Sequence, residues 1–439
     1  MSPELITILI FGFVFLLLFL GVPLVFSLGS TAIVFGLFLW GPESAYLNCS
    51  RTVGAMFSYE MIAVPLFMLM AVILEGSGLA DDMYGAIHIW MGGIRGGLAV
   101  GTILICTAIA AMSGVSAAGV LTMGVLAFPA MQKRGYNKNI SMGCIMAGGA
   151  LGQLIPPSLL MVIYGAVAGV SVGKMFIGGI LPGLMLSGLF IIYILVRSLL
   201  NKNLCPSMPK EERSLITLRD KLIATKGVIL PTLLIVGVLG SIFSGIATPT
   251  EAAGVGAFGS MLCSVIHGRF TWKRLKTACS QTLLSSSMVM WIVIGSLMFV
   301  STYFAAGGAE FVKNVLVGSK LNPWVVMICI QVIIIILGCL MDPAGIILLC
   351  TPLFLPAVKM LGFDPLWFGV LFIVNLEMAY LTPPFGYNLF YLKSIIPPEI
   401  TMQEVYQSAI PFVAVQLVGL ILCMLFPQII LYLPNLMKG

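Results

Sequence analysis

Apolar runs of about twenty residues recur along this chain from one end to the other, and that recurrence leaves few folds open. They fall at 4–21, 23–41, 58–78, 97–131, 139–170, 176–199, 227–244, 249–267, 278–305, 322–358, 365–395 and 410–433. Twenty residues of α-helix reach about 30 Å, the thickness of the hydrocarbon core of a bilayer. Inside that layer every backbone polar group must find its partner within the protein, so the expected architecture is an all-α polytopic membrane protein. Composition points the same way: 60% of the 439 residues are hydrophobic and 9% are charged, whereas soluble domains carry about 25% charge. A soluble enzyme is excluded, and no catalytic function is expected. The start, MSPELITILIFGFVFLLLFLGVPLV, has neither a basic n-region nor a small-residue cleavage site, and it reads as the first membrane helix.

The net charge of +6 follows topology and is no nucleic-acid footprint. Lys and Arg crowd the connections Arg197–Lys226, Lys133–Lys138 and Arg269–Lys276. Placing these in the cytoplasm, with Arg95 and Lys393, collects most of the 22 basic residues there and leaves Met1 outside. The ten cysteines form no CxxC pair and read as small packing residues, without a disulfide framework or zinc site.

Two of the apolar runs are interrupted by the same step. LIPPS, Leu154 to Ser158, and LTPPFGYN, Leu381 to Asn388, each place adjacent prolines in an apolar stretch. Proline costs a helix interior about 3 kcal/mol and leaves the carbonyl one turn earlier without its donor. The steps are 227 residues apart, and the same offset pairs Pro129 with Pro356, Ala130 with Ala357, Gly135 with Gly362 and Tyr164 with Tyr391. Pro23 and Pro249 match at 226, so a small indel lies between. The polar connection NKNLCPSMPKEERSLITLRDKL divides the chain into these two repeats. Lys133–Lys138 face the cytoplasm, while their partners Met360–Pro365 fall on the opposite side. The repeats are therefore inverted, as in secondary transporters whose substrate sites form where broken helices meet near the midplane.

Segments 97–131 and 322–358 are too long for one crossing, and each has a polar break, MSGVSAAG (Met112–Gly119) and CLMDPAGI (Cys339–Ile346). Arms of about 17 residues extend roughly 25 Å, which suits a re-entrant hairpin. Ser113 and Asp342 are the expected N-caps of the returning arms, with Pro343 at the first helical position. Pro156 and Pro157 are expected to free the carbonyls of Gly152 and Gln153, and Pro383 and Pro384 those of Ala379 and Tyr380. Such carbonyls, with nearby hydroxyls and amides, form neutral oxygen clusters of the kind that sodium binds. Helix N-termini at the tips and breaks suit a carboxylate. The candidate residues are Ser113, Gly114, Ser116, Gly152 and Gln153 for one sodium ion. Asp342, Ala379, Thr382, Gly386 and Asn388 are those for a second. Substrate is expected between the clusters, against Ser116, Pro157, Ser158, Pro384 and Asn388.

The stretches PLFMLMAVILEGSGLADDM, MSGVSAAGV, LGQLIPPS, IATPTEAAGVGA, MDPAGIILLCTPLFLP and LTPPFGYNLF resemble the large, DctM-like membrane subunit of tripartite ATP-independent periplasmic (TRAP) transporters. They cover both halves in family order. The resemblance implies an elevator-type secondary transporter of the bacterial inner membrane, similar in fold to the ion-transporter superfamily and driven by sodium. It implies import of an organic acid, often a C4-dicarboxylate or sialic acid, delivered by a periplasmic binding protein. It further implies a small four-helix membrane subunit, expected here as a separate chain because no extra N-terminal helices appear. A binding-protein-independent ion or organic-acid antiporter of related architecture is the second reading.

Competing motifs are weaker. GVGAFG, Gly254–Gly259, has the G-x-G-x-x-G spacing but follows no strand, and close helix packing explains it better. GVSVG, Gly169–Gly173, lacks the α/β context of a nucleophile elbow. The GK step at Gly173–Lys174 is not a Walker motif, so no nucleotide is expected. Among the acids, Asp342 is either a cap or a cation ligand and Glu251 suits a helix start. Glu377 lies deep in an apolar run, where an ionisable group is functional by default unless it snorkels or faces a partner. His88 and His267 are expected at membrane boundaries. The organisation anticipated is scaffold helices over 1–95, a hairpin and broken helix over 96–170, and a connecting helix and cytoplasmic loop over 171–226. A second scaffold set follows over 227–321, a second hairpin and broken helix over 322–396, and a C-terminal helix over 397–439. The two hairpin-plus-break units form the moving transport domain.

Overall fold

A computed structural model describes residues 2–207, 211, 217–308, 310–311, 321–384 and 386–437. Regular structure among them is helical throughout. The first half comprises α1 (Pro3–Phe19), α2 (Leu24–Trp40), α3 (Ser44–Met56), α4 (Ala63–Glu75), α5 (Leu79–Met91), α6 (Gly97–Ser113), α7 (Ser116–Lys133), α8 (Lys138–Ala150), α9 (Leu159–Ala168) and α10 (Val172–Leu200). The second comprises α11 (Leu218–Phe243), α12 (Pro249–Ile266), α13 (Trp272–Ala305), α14 (Pro323–Gly338), α15 (Pro343–Met360), α16 (Pro365–Ala379), α17 (Tyr387–Lys393), α18 (Met402–Leu425) and α19 (Gln428–Leu436).

The 227-residue repeat holds in the returning hairpin arms and the helices that follow them. The bounds of α7 and α15 differ by 227 at both ends, and so do the starts of α8 and α16. The caps correspond as well. Asn137 Oδ1 accepts from the amides of Asn139 (2.9 Å) and Ile140 (3.4 Å), and Asp364, at the same repeat position, accepts from Leu366 (2.7 Å) and Trp367 (3.0 Å). Gly135 and Gly362 close α7 and α15 with φ of +72° and +82°. Arms α6 and α7 pack on each other as one hairpin, and α14 and α15 as the other.

Three elements differ from the hydropathy pattern. Helices α3 and α5 lie outside the long apolar runs because SAYLNCSRTVGAM and LADDMYGAIHIWM are amphipathic; each buries one face, α3 on α13 and α5 on α11 and α6. The long α13 matches the α3–α4 pair of the other repeat, which is bent through a 3₁₀ turn at Tyr59–Ile62. The expected single C-terminal helix is two, α18 and α19, with Pro427 between them. Among the described residues, five helical runs are long and apolar enough to cross a membrane: 24–56, α10, α13, α15 and α18. Among the shorter apolar stretches, of 10–17 residues, are the hairpin arms α6 and α14 and the broken-helix pieces α9 and α16.

Helix α16 has no polar face because every residue from Leu366 to Ala379 is buried, against α9, α10, α14, α15 and α18. Around this core, α13 packs on α2, α3 and α4, and α12 on α4 and α11. Phe19, Phe38, Phe57, Leu200 and Ile246 are each at least 74% exposed, which hydrocarbon tolerates and water does not. His267 caps α12, with Nδ1 2.9 Å from the Cys263 carbonyl and Nε2 3.5 Å from Asp82 of α5. The side chain of His88 lies outside the described residues, as do Phe385 in the second break and residues 312–320.

The repeat-equivalent positions Lys133 and Met360 are both exposed, at the ends of α7 and α15. With the exposed Cys49, Cys279 and Cys329 replaced, a cysteine at 133 should react with an impermeant thiol reagent only from the cytoplasm. One at 360 should react only from outside. Labelling of both from one side contradicts the inversion.

Candidate functional site

The first hairpin turns through Gly114 and Val115. Gly114 caps α6 with φ +63°, and a Cβ there would overlap the carbonyl oxygen of Pro157. The hairpin tip is thus seated directly on the first Pro–Pro step. The N-cap of α7 is Val115, which offers no side-chain acceptor, and not Ser113 as expected; Ser113 ends α6 and its hydroxyl turns back on Val115 (3.3 and 3.4 Å). The first amides of α7 therefore reach the tip without a side-chain cap. A Cβ on Gly152 would lie 2.8 Å from the Val115 carbonyl and 3.1 Å from the Ser116 nitrogen, so the tip and the break touch through backbone. All five residues of the first candidate cation site are gathered at this junction.

The first break is not a kinked helix. α8 ends at Ala150, a 3₁₀ turn covers Leu151–Gln153, and α9 restarts with Ser158 as N-cap, its hydroxyl 3.4 Å from the Met161 amide. The same hydroxyl donates to the Gln153 carbonyl, so that carbonyl is not free as expected. The Gly152 carbonyl accepts no hydrogen bond among the described residues. Gln153 Oε1 is buried and also without a donor. A buried amide oxygen and a carbonyl left open in one turn are what a hard cation requires.

In the second half Asp342 is the N-cap of α15, with Oδ2 accepting from the amides of Ala344 (3.0 Å) and Gly345 (3.3 Å) and Pro343 in the first turn. The freed carbonyls expected here are used. Tyr380 accepts from the Asn388 amide (3.1 Å) and Ala379 accepts a long bond from Thr382 (3.5 Å). The Thr382 hydroxyl donates back to Met378 (2.7 Å). A Cβ on Gly386 would sit 2.9 Å from the Tyr380 carbonyl and 3.0 Å from that of Thr382. This loop folds tightly on itself, and the carbonyls of Ala379 and Tyr380 are both taken by its own amides.

Asn388 joins the halves. Its Oδ1 accepts from the Ser116 hydroxyl at 2.5 Å, and its Nδ2 donates to the Met146 carbonyl at 2.9 Å; both side chains are fully buried. Its side chain thus links the first hairpin to α8 and leaves one lone pair of Oδ1. The Met146 carbonyl was not among the sequence candidates. Its signal was the Gly148–Gly149 pair one turn later, where a Cβ on Gly149 would approach the Val120 nitrogen to 3.0 Å and the Ser116 carbonyl to 3.3 Å. Gly149 lets α7 lie close on α8, with Gly119 of α7 opposite it (an added Cβ there would sit 3.1 Å from the Gly149 Cα), while Gly148 faces Cys106 of α6.

Glu377 faces inward and does not snorkel: its Oε2 accepts from Gln416 Nε2 of α18 at 3.0 Å. Glu251 closes a capping box with Thr248 (2.8 and 3.3 Å), the helix-start role expected of it. A crevice between the α4–α5 end and the first hairpin contains Glu75, Ser113 and Thr122. Glu75 also lines a wider cavity of about 560 Å³ with Lys273, Arg274 and Gln281.

Residues 11–429 match the profile of the family described as tripartite ATP-independent periplasmic transporter, DctM component. The chain belongs to this family. It is 32% identical to the C4-dicarboxylate TRAP transporter large permease protein DctM of Vibrio cholerae, covering 100% of this chain and 99% of that one. It is 29% identical to the sialic acid TRAP transporter large permease protein SiaM of the same organism, over 96% and 97%. The fold matches the solved YdaH transporter of Alcanivorax borkumensis with a TM-score of 0.65 and 16% identity, over 96% and 98% of the two chains. As a DctM-family permease, the chain is a multi-pass protein of the bacterial inner membrane.

Proposed function

We propose that this permease imports a small organic acid, of C4-dicarboxylate or sialic-acid type, handed over by a periplasmic binding protein. A sodium gradient drives the import, and a separate small four-helix subunit braces the scaffold. The observation that carries the reading is the Ser116–Asn388–Met146 link, which ties both broken helices and the first hairpin into one body. Such a body can slide as a unit against α2–α4 and α11–α13, an elevator movement. Sodium is held as cargo by the Gly152 carbonyl, Gln153 Oε1 and the hydroxyls of Ser113 and Ser116. A second ion is assigned to Asp342, Ala379, Thr382, Gly386 and Asn388. The substrate carboxylate lies between, against Ser116, Pro157, Ser158, Pro384 and Asn388, facing the uncapped amides of α7. The cavity with Lys273 and Arg274 lies on the side assigned to the cytoplasm and attracts the released anion.

The test is uptake in liposomes holding the permease and its small subunit. Substrate should accumulate only when loaded binding protein and an inward sodium gradient are both present. Uptake without any binding protein favours the antiporter reading, and uptake that follows a proton gradient removes sodium from the account.

A further inference from the structure

On the side assigned to the cytoplasm, the ends of α8, α10 and α18 enclose a cavity of about 120 Å³ that the transport reading leaves unused. Arg197 in the last turn of α10 lines it, with Asn137 and Asn139 at the start of α8 and Gln407 of α18. Tyr193 and Phe412 form its wall, packed edge to face at 5.1 Å. The lining is rich in donors and short of acceptors to receive them. Asn137 spends Oδ1 on the cap of α8, which leaves its Nδ2 donors. Among the described residues Arg197 has no carboxylate within 4.0 Å, and no acidic side chain lines the cavity. Glu404, at the start of α18, is held by its own cap, with Oε2 2.7 Å from the Thr401 amide. Lys138, exposed between the two asparagines, adds a second positive charge. This setting calls for an anion.

Space and surroundings say which anion. The cavity has the volume of about four waters, enough for one phosphodiester group. Toward the bilayer centre it ends, because Leu186 of α10 lies on Gly419 of α18, where an added Cβ would overlap it. Its outer rim continues along the same two helices as exposed Val196 and Val418, at 47% and 49%. Arg197 thus sits where a polar headgroup meets an apolar two-helix surface. A cation that only snorkels to water needs no such ring of donors around it. We infer that the cavity is a phospholipid site, filled by phosphatidylglycerol of the cytoplasmic leaflet. The phosphate lies against Arg197, Asn139 and Gln407, and the acyl chains run along Val196 and Val418. An ethanolamine headgroup would bring its own ammonium among these cations, whereas glycerol brings hydroxyls. The bound lipid ties the start of α8 to α10 and α18.

Native mass spectrometry of the full chain tests this. Delipidated protein is exposed to equal amounts of phosphatidylglycerol and phosphatidylethanolamine with the same acyl chains. The wild type should retain a phosphatidylglycerol molecule with about fivefold preference or more. Arg197→Gln should abolish that preference. Lys276→Gln, which removes an exposed cation at the cytoplasmic end of α13, should keep it within about twofold. Equal retention of the two lipids by the wild type, or an unchanged preference in Arg197→Gln, overturns the proposal. Should Arg197→Gln fail to insert, Asn139→Asp serves instead, because it sets a carboxylate against the phosphate at an exposed position. An undiminished preference there overturns the site. Glycerol phosphate, the headgroup without acyl chains, separates lipid from free phosphate. At millimolar concentration it should leave the lipid bound and the unfolding temperature of the delipidated protein unmoved. A stabilisation by glycerol phosphate that Arg197→Gln removes would assign the cavity to a soluble phosphate and overturn the lipid.

Discussion

Gly114→Ala should insert into the membrane and lose about tenfold or more of its uptake, because the displacement of the hairpin tip costs about 1–3 kcal/mol. The new methyl group would overlap the Pro157 carbonyl, and the residue is already at φ +63°. The tip cannot stay on the Pro–Pro step, and the oxygens of Ser113, Ser116 and Gly152 separate. Gly135→Ala is the control. It has φ +72° but nothing within 4 Å of an added Cβ, so it bears only the left-handed backbone cost of about 1–2 kcal/mol on stability. Initial uptake rates, scaled to inserted protein, should fall at Gly114 and stay within about threefold at Gly135. Equal losses at both sites would reduce the tip–break contact to ordinary backbone strain.

The second large effect belongs to Asn388. Asn388→Ala leaves the buried Ser116 hydroxyl without its acceptor and takes from the Met146 carbonyl the side-chain donor it has besides its own helix. The orphaned hydroxyl alone costs about 1–3 kcal/mol. Uptake should fall by more than about tenfold and the unfolding temperature should drop. Ser116→Ala removes one partner only and should be milder. In the double variant the two losses should not add, with a coupling of about 1 kcal/mol or more, since the residues share one bond. Strict additivity would mean that the halves are not joined there.

Much of this fold was legible because lipid makes sequence rules strict. The apolar runs, the 227-residue offset and the polar tips of the hairpins all express one requirement, that backbone groups at membrane depth be satisfied within the protein. The amphipathic α3 and α5 were not legible from hydropathy, since each pairs a short apolar face with polar residues. The sites were legible in part. Proline steps mark where a helix must stop, but not which carbonyls stay open afterwards. Ser158 turning back on Gln153 and Asn388 reaching Tyr380 through its backbone are tertiary outcomes. The capping of α7 by Val115 and not Ser113 follows from Gly114 adopting the left-handed conformation, which moves the helix start by two residues. The link from Asn388 to Met146 spans 242 positions and has no local signature beyond the glycines that permit it.

The most direct measurement is the sodium dependence of uptake in Gln153→Leu beside the wild type, with loaded binding protein held constant. Gln153 Oε1 accepts no hydrogen bond among the described residues, so its removal should cost the fold little, and thermal stability in sodium-free buffer should be unchanged. If that oxygen is a sodium ligand, the half-saturating sodium concentration should rise by about tenfold, the equivalent of about 1.4 kcal/mol lost from one ligand. An unchanged sodium titration in a correctly inserted Gln153→Leu protein would contradict the assignment of the coupling ion to the junction of the first hairpin and the first break.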